Sequence, residues 1–244
     1  MKNSYSGRGE CKVTCIVPFY NESERILGVL EAVSKVKEFS QIICVDDGSN
    51  DKTYLRIRKF HPFICLIRFQ KNRGKTTAIE RALTLVNNPL VFCIDGDLLS
   101  LQPNEIRKAI KIMQINQHIA MIILCRIHTN IQGTWQRANN IFSGERILRA
   151  QDLKAVLKNN PKPVRYQIEV AINKYMMEKE KEVYWIPSSA INYFKRQKYG
   201  GLIKGELRDL QMHYQMIQYI GFINYLKQVL FFCRKQYHPS SLAN

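Results

Sequence analysis

Through the first half of the chain, apolar residues fall into short unbroken runs, and between the runs they recur every three or four positions. The runs are Lys12 to Pro18, Gln41 to Val45, Phe63 to Ile67, Val91 to Ile94 and Ile119 to Cys125. Each is short and rich in branched side chains, the composition of a buried strand. The intervening segments have helical spacing. Asn21 is placed to cap a first helix, with Glu22 and Glu24 in its first turn and Ile26, Leu27, Leu30 and Val33 along one face. Asn50 to Phe60 predicts a short helix. The basic loop Lys71 to Lys75 leads into another that runs to about Val86, and a fourth covers Pro103 to Asn116. Strand alternating with helix over short connections predicts an α/β chain, with a mostly parallel sheet and helices on both faces. In such sheets ligands lie beyond the carboxyl ends of the strands. The polar clusters Phe19 to Glu22, Asp46 to Asp51, Lys71 to Lys75 and Asp95 to Asp97 all fall at those ends.

The second half is less regular. Phe142 to Arg149 predicts a turn and a strand, followed by a helix to about Asn159. Tyr166 to Lys179 reads as a helix, Val183 to Ile186 as a strand, and Lys195 to Lys204 as a basic loop. Glu206 to Arg234 is helical in pattern, with Ile217, Ile220, Ile223, Leu226 and Leu230 on one side. Its stretch Tyr219 to Cys233 supports two readings. It is either a core helix closing the domain or an amphipathic helix on a membrane, flanked by Lys227, Arg234 and Lys235. At 15 residues with an internal lysine it is too short to span a bilayer.

Composition narrows the classes. A length of 244 residues suits one domain with a full core, and 45% hydrophobic with 23% charged residues is ordinary for a globular protein. The net charge of +17 is not ordinary, and it draws anions: nucleic acid, anionic headgroups or phosphorylated substrates. The cations are spread along the chain without an aromatic RNA-binding signature, so nucleic acid is not the expected partner. Seven cysteines without a CxxC pair, four of them (Cys44, Cys65, Cys93 and Cys125) inside apolar runs, fit a reducing, cytoplasmic setting. The amino terminus is polar, without a signal core, and no run reaches the roughly 20 apolar residues of a spanning helix.

The candidate chemistry centres on Asp95-Gly96-Asp97, two carboxylates at the open end of a buried strand. Desolvation and mutual repulsion oppose their ionisation, and a divalent cation relieves both. Hard oxygen donors suit Mg²⁺ or Mn²⁺ bridging to a substrate's phosphates. A solvated Asp-Gly-Asp turn is the plain alternative. Asn72 to Thr76 matches the end of a nucleotide-triphosphatase phosphate loop, but that motif needs a glycine where Phe69 stands.

Four motifs in order, Ile16 to Glu22, Val45 to Thr53, Asn72 to Lys75 and Asp95 to Asp97, resemble those of family-2 glycosyltransferases with the GT-A fold. Ser143 to Arg146, Tyr166 to Glu169 and Arg196 to Lys204 more loosely resemble the polyprenol-phosphate branch, the dolichol-phosphate-mannose-synthase-like enzymes. The resemblance implies one GT-A domain over residues 1–244. Residues 12–125 would bind a nucleotide sugar, 126–205 the acceptor, and 206–234 would form the carboxyl-terminal helix. It further implies that Pro18, Phe19, Tyr20 and Glu22 line the nucleotide pocket and that Asp46 or Asp47 accepts hydrogen bonds from the base. Gly74 and Lys75 would approach the nucleotide, Asp95 and Gly96 the ribose, and Asp95 and Asp97 the metal. Arg126, Arg137, Arg146, Arg196 and Lys204 would hold the acceptor and diphosphate.

The sequence departs from that branch twice. Leu99 stands where those enzymes carry a further metal-binding glutamine, and a long membrane-associated insert is missing between Arg137 and Ser143. The expected activity is metal-dependent, inverting transfer from a UDP- or GDP-hexose to a lipid phosphate. Peripheral contact with an anionic membrane on the cytoplasmic face would accompany it. Asp97, Glu145 and Glu169 are the catalytic candidates. A hydroxyl acceptor on a glycan or small molecule would need Glu145 or Glu169 as base, whereas an ionised phosphate needs cations instead. Glu145 also reads as a turn residue paired with Arg146, Glu169 as a solvated helix residue, and His213 as a surface histidine or a further metal ligand. A nucleic-acid-binding protein and an inactive nucleotide-binding scaffold are the rivals from other classes.

Overall fold

The computed structural model describes residues 12–59, 64–126, 141–158, 162–165, 167–192 and 202–238, with the side chains of 192 and 202–209 left aside. The strands are β1 (Val13–Phe19), β2 (Phe39–Asp46), β3 (Ile64–Arg68), β4 (Leu90–Cys93), β5 (Leu98–Leu99), β6 (Ile119–Arg126), β7 (Arg146–Arg149), β8 (Glu182–Ser188) and β9 (Ile191–Asn192). The helices are α1 (Ile26–Ser34), α2 (Thr53–Arg58), α3 (Lys75–Leu83), α4 (Pro103–Ile115), α5 (Ala150–Lys158), α6 (Ile168–Glu178), α7 (Leu202–Ile220) and α8 (Phe222–Phe231).

Seven strands form one sheet in the order β3-β2-β1-β4-β7-β6-β8. Only β7 runs against its neighbours: β4 and β6 both pair with it antiparallel, while β1–β2, β1–β4, β2–β3 and β6–β8 are parallel. The predicted α/β class with a mostly parallel sheet is the one observed. β1 lies inside the sheet between β2 and β4, and all seven of its residues are buried, as a strand covered on both faces requires. Alternation divides it between two cores. Val13, Cys15, Val17 and Phe19 face α1 and α4, while Ile16 joins Ile43 and Val45 against α3, α5 and α6.

Two local expectations are corrected. Asn21 does not cap α1. The helix begins at Ile26 after Arg25, with no acidic residue in its first turn. Asn21 instead adopts φ 56°, donates its amide to Ser49 Oγ and accepts Asn50 N–H at its side-chain oxygen, each at 2.9 Å. Its polar side chain tolerates this left-handed backbone and ties the β1 loop to the β2 loop. The carboxyl-terminal helix is also two helices, broken at Gly221 with φ 82°. The small β5–β9 ladder, with Leu98 opposite Asn192 and Leu99 opposite Ile191, was not foreseen. Among the described residues no helix is long and apolar enough to cross a membrane.

Candidate active site

The carboxyl ends of β1, β2, β3 and β4 gather the predicted loops at one edge of the sheet, and hydrogen bonds lock them together. Asp47 N–H donates to the Phe19 carbonyl and Phe69 N–H to that of Asp46, both at 2.9 Å. Asp47 holds the 71–75 loop: one carboxylate oxygen accepts Arg73 N–H at 2.7 Å, the other Gly74 N–H at 2.8 Å. Burial pushes the Asp47 carboxyl up, and these two amides oppose the shift. Asp46 is fully buried, accepts Ser49 N–H at 2.8 Å and meets Arg68 Nε at 3.3 Å. Both carboxylates thus hold loops at the edge where they were expected to meet a base. Gly48 explains how the loops come so close. A Cβ there would meet the Lys71 carbonyl carbon at 2.6 Å and Asn72 N at 2.8 Å, and its φ of 78° already disfavours a side chain.

Below this lattice lies an ion cluster. Lys75, the first residue of α3, donates its ammonium to Asp95 Oδ1 and pairs with Glu169 Oε1 at 2.6 Å. The two acids hold the Lys75 amine well above its ordinary range, more than offsetting the burial that would lower it. Glu169 is buried on the first turn of α6, so the reading of a solvated helix glutamate is corrected. Its signal in the sequence was weak, because a buried acid and a solvated one look alike until the partner lysine is placed.

β7 carries the next group into place beside β4. Ser143 Oγ lies 2.9 Å from the Leu124 carbonyl and 2.7 Å from Glu145 Oε2, its one hydroxyl hydrogen shared between the two acceptors. Arg126, at the end of β6, sets its Nε 3.8 Å from the same Glu145 oxygen. Glu145 is 0% exposed, and its other oxygen has no hydrogen-bond partner among the described residues. Burial pushes its carboxyl up, opposed by Arg126 and aided by the negative charge of Asp95. Glu145 thus pairs with Arg126 and Ser143, not with Arg146. Gly144 lets this strand approach the Asp-Gly-Asp turn, since a Cβ on it would lie 2.5 Å from Asp95 Oδ2.

Arg146 corrects another expectation. It is 1% exposed, with Nε donating to the Ser143 carbonyl at 2.9 Å, Nη1 to Asn173 Oδ1 at 3.0 Å and Nη2 to the Ile141 carbonyl at 3.3 Å. Its guanidinium braces the 141–146 turn and has no face left for an acceptor. His213, offered as a metal ligand or surface residue, sits half-buried beside Phe142 and meets Tyr225 Oη through Nδ1 at 2.9 Å. Arg137 and Arg196 lie outside the described residues. Lys204 falls on the first turn of α7, its side chain not described.

Tyr20 is exposed at the rim, while Pro18, Phe19 and Gly96 are buried behind it. Gly96 fits tightly against Phe19 and Ile26. Glu22 pairs with Arg25 at 2.5 Å and donates its amide to Thr53 Oγ1 at 2.9 Å. Asp95 and Asp97 are both partly exposed at the open end of β4. No group of three or more His, Cys, Asp or Glu that could hold a metal occurs among the described residues. Two hard-oxygen donors at an open edge suit a Mg²⁺-type ion whose remaining ligands are substrate phosphates and water.

Sequence reasoning placed Ser143 in a motif without giving it a role, and missed Asn173 and Arg165. The Arg165 carbonyl accepts both Thr76 N–H at 3.1 Å and Thr76 Oγ1 at 2.8 Å, joining the lysine loop to the second half of the chain. Asn173 had a signal, as an amide amid the apolar residues of α6. The carbonyl role of Arg165 had none.

The model of a family described as glycosyl transferase family 2 matches residues 14–180. Among curated proteins, an undecaprenyl-phosphate 4-deoxy-4-formamido-L-arabinose transferase of Serratia proteamaculans is 31% identical over 134 residues, 52% of this chain and 40% of the relative. A dolichyl-phosphate beta-glucosyltransferase of Trichomonas vaginalis is 31% identical over 133 residues, 49% of this chain and 40% of the relative. The matched stretch thus spans well under two thirds of these relatives. Among solved structures, glucosyl-3-phosphoglycerate synthase from Mycobacterium tuberculosis, in complex with Mn²⁺, UDP and glucosyl-3-phosphoglycerate, superposes with a TM-score of 0.68. It is 16% identical, with 89% of this chain and 80% of that one covered. At that identity the likeness is one of fold.

Proposed function

Because this chain belongs to glycosyl transferase family 2, we propose that its loop edge transfers a sugar from a nucleotide diphosphate donor to a polyprenyl phosphate. The observation that carries the choice of acceptor is the state of the two acids that could serve as bases. Glu169 is the counter-ion of Lys75 at 2.6 Å, and Glu145 is wholly enclosed with its carboxyl pushed towards the neutral form. A hydroxyl nucleophile needs a base within hydrogen-bond reach. A phosphate monoester, with its second pKa around 6, arrives largely ionised and needs only cations and positioning. The names of two relatives, transferases described by undecaprenyl and dolichyl phosphate, support the same acceptor class.

The chain's own residues then have distinct tasks. Asp47 fixes the 71–75 loop, and Tyr20 offers a ring at the rim of the nucleotide pocket. Asp95 and Asp97 would hold Mg²⁺ or Mn²⁺, which when bound supplies Lewis-acid stabilisation to the departing diphosphate. Lys75 orients Asp95 and leaves a fixed positive charge beneath it. Arg126, steadied by Glu145, stands at the acceptor side.

Thermal-shift titration with UDP, GDP and their hexose conjugates, with and without Mn²⁺, tests the reading. A ligand specific to the folded state raises the melting temperature. One nucleotide should give a Mn²⁺-dependent rise that Asp97→Ala abolishes. No rise with any of them removes the donor site and the proposal with it.

A further inference from the structure

Helix α8 is built inside out. The residue it buries is a glutamine, Gln228, at 1% exposure. Gln228 Nε2 donates to the Val170 carbonyl at 2.9 Å, and its Oε1 accepts Asn173 Nδ2 at 3.2 Å. The outward residues are Phe222 at 60% exposure, Ile223 at 69%, Leu226 at 40%, Leu230 at 46% and Phe231 at 59%. At 100° per residue they share one half of the helix surface, with exposed Lys227 among them. Arg234 lies over the Phe231 ring at 5.1 Å, and exposed Lys235 follows. A contiguous apolar face rimmed by charge marks an interaction surface.

We propose that α8 lies flat in the surface of an anionic phospholipid bilayer, with Phe222, Ile223, Leu226 and Leu230 in the acyl boundary and Lys227, Arg234 and Lys235 among the headgroups. Apolar residues on one face with lysine and arginine beside them is the pattern of an interfacial helix. Long basic side chains reach headgroups while their stems stay in the apolar layer. Charge decides against a second copy of this chain as the occupant. That pairing would set one +17 molecule on another, with the same three cations at the contact. An anionic surface is complementary to them. The inference extends the lipid-acceptor reading by giving the site a fixed orientation. Gln228 bonds Asn173, and Asn173 accepts from Arg146, the residue next to Glu145. The bilayer face is thereby tied by side chains to the acceptor side of the site.

Co-sedimentation with vesicles lacking any polyprenyl lipid tests this without depending on transfer. Vesicles of phosphatidylcholine mixed with phosphatidylglycerol should retain the wild-type protein, and those of phosphatidylcholine alone should retain it less. The double variant Leu226→Glu/Leu230→Glu changes two exposed side chains. It should keep its unliganded melting temperature while its partition falls at least about tenfold. Equal retention of variant and wild type, or no retention of the wild type, overturns the proposal. So does a wild-type dimer in sedimentation velocity that the variant converts to monomer. A protein that binds vesicles but no nucleotide would fail the functional reading alone, and one that binds nucleotide but no vesicle would fail this one alone.

Discussion

Glu145 is the residue on which chemistry and stability meet. Its side chain is enclosed, one oxygen lacks a hydrogen bond among the described residues, and burial raises its pKa above the ordinary 4.5. With the folded pKa raised, the native state binds more protons than the unfolded state at any pH between the two values. Stability therefore falls as pH rises from about 4.5 towards the folded pKa. Glu145→Gln removes that titration and keeps the shape, so its urea midpoint should change less across this window than the wild type's. Parallel slopes would show that Glu145 ionises in the fold as readily as in the unfolded chain. The sequence showed this residue but not its environment. Ser-Gly-Glu-Arg reads equally well as a turn pairing Glu145 with Arg146 and as a functional group. The structure sets Glu145 beside Arg126, nineteen residues earlier along the chain, which the pairing of β6 with β7 brings to 3.8 Å.

At the scale of elements, legibility followed burial. The strands β1, β2, β3, β4 and β6 were readable because each is a run of branched apolar residues ending in polar loops, which local composition records. The antiparallel insertion of β7 and the two-residue β5–β9 ladder were not, since both depend on partners far away in sequence. From sequence α8 supports two readings, for an instructive reason. Periodicity correctly placed Ile223, Leu226 and Leu230 on one side of a helix, but a hydrophobic stripe does not say whether protein or something else covers it. The polar exception held the answer, as Gln228 and Asn173 mark the inward faces of α8 and α6. Gln228→Ala would remove one of two acceptors of the Asn173 amide, which keeps its bond to the Ile141 carbonyl, and lose the bond to the Val170 carbonyl. The expected cost is about 1–3 kcal/mol of stability, read as a lower urea midpoint with an unchanged fold. A change within a few tenths would mean water replaces the glutamine without loss.

At the scale of the molecule, the four motif-bearing loops were legible as a set because a parallel sheet delivers all its strand ends to one edge. The charge was legible in total but not in place. Some of it lines a cleft between Lys12, Lys37, Arg107, Lys108 and Lys111, beside the start of β1 and therefore at the opposite end of that strand from the motif-bearing loops. The order β3-β2-β1-β4-β7-β6-β8 also has a consequence for how the protein is made. A ribosome releases β4 and β6 before β7, the strand that must slip between them. Until residue 149 emerges, both present unpaired edges in a chain whose first half already carries all four motif-bearing loops. The first half is therefore expected not to fold as a detached module. A fragment ending at Arg126 should be recovered in aggregates, and one extended through α6 should gain solubility. A soluble, cooperatively melting 12–126 fragment would show that β4 can find another neighbour. Newly synthesised chains would meanwhile depend on chaperones during the interval before β7 arrives, and slow codons across residues 127–149 would lengthen that exposure.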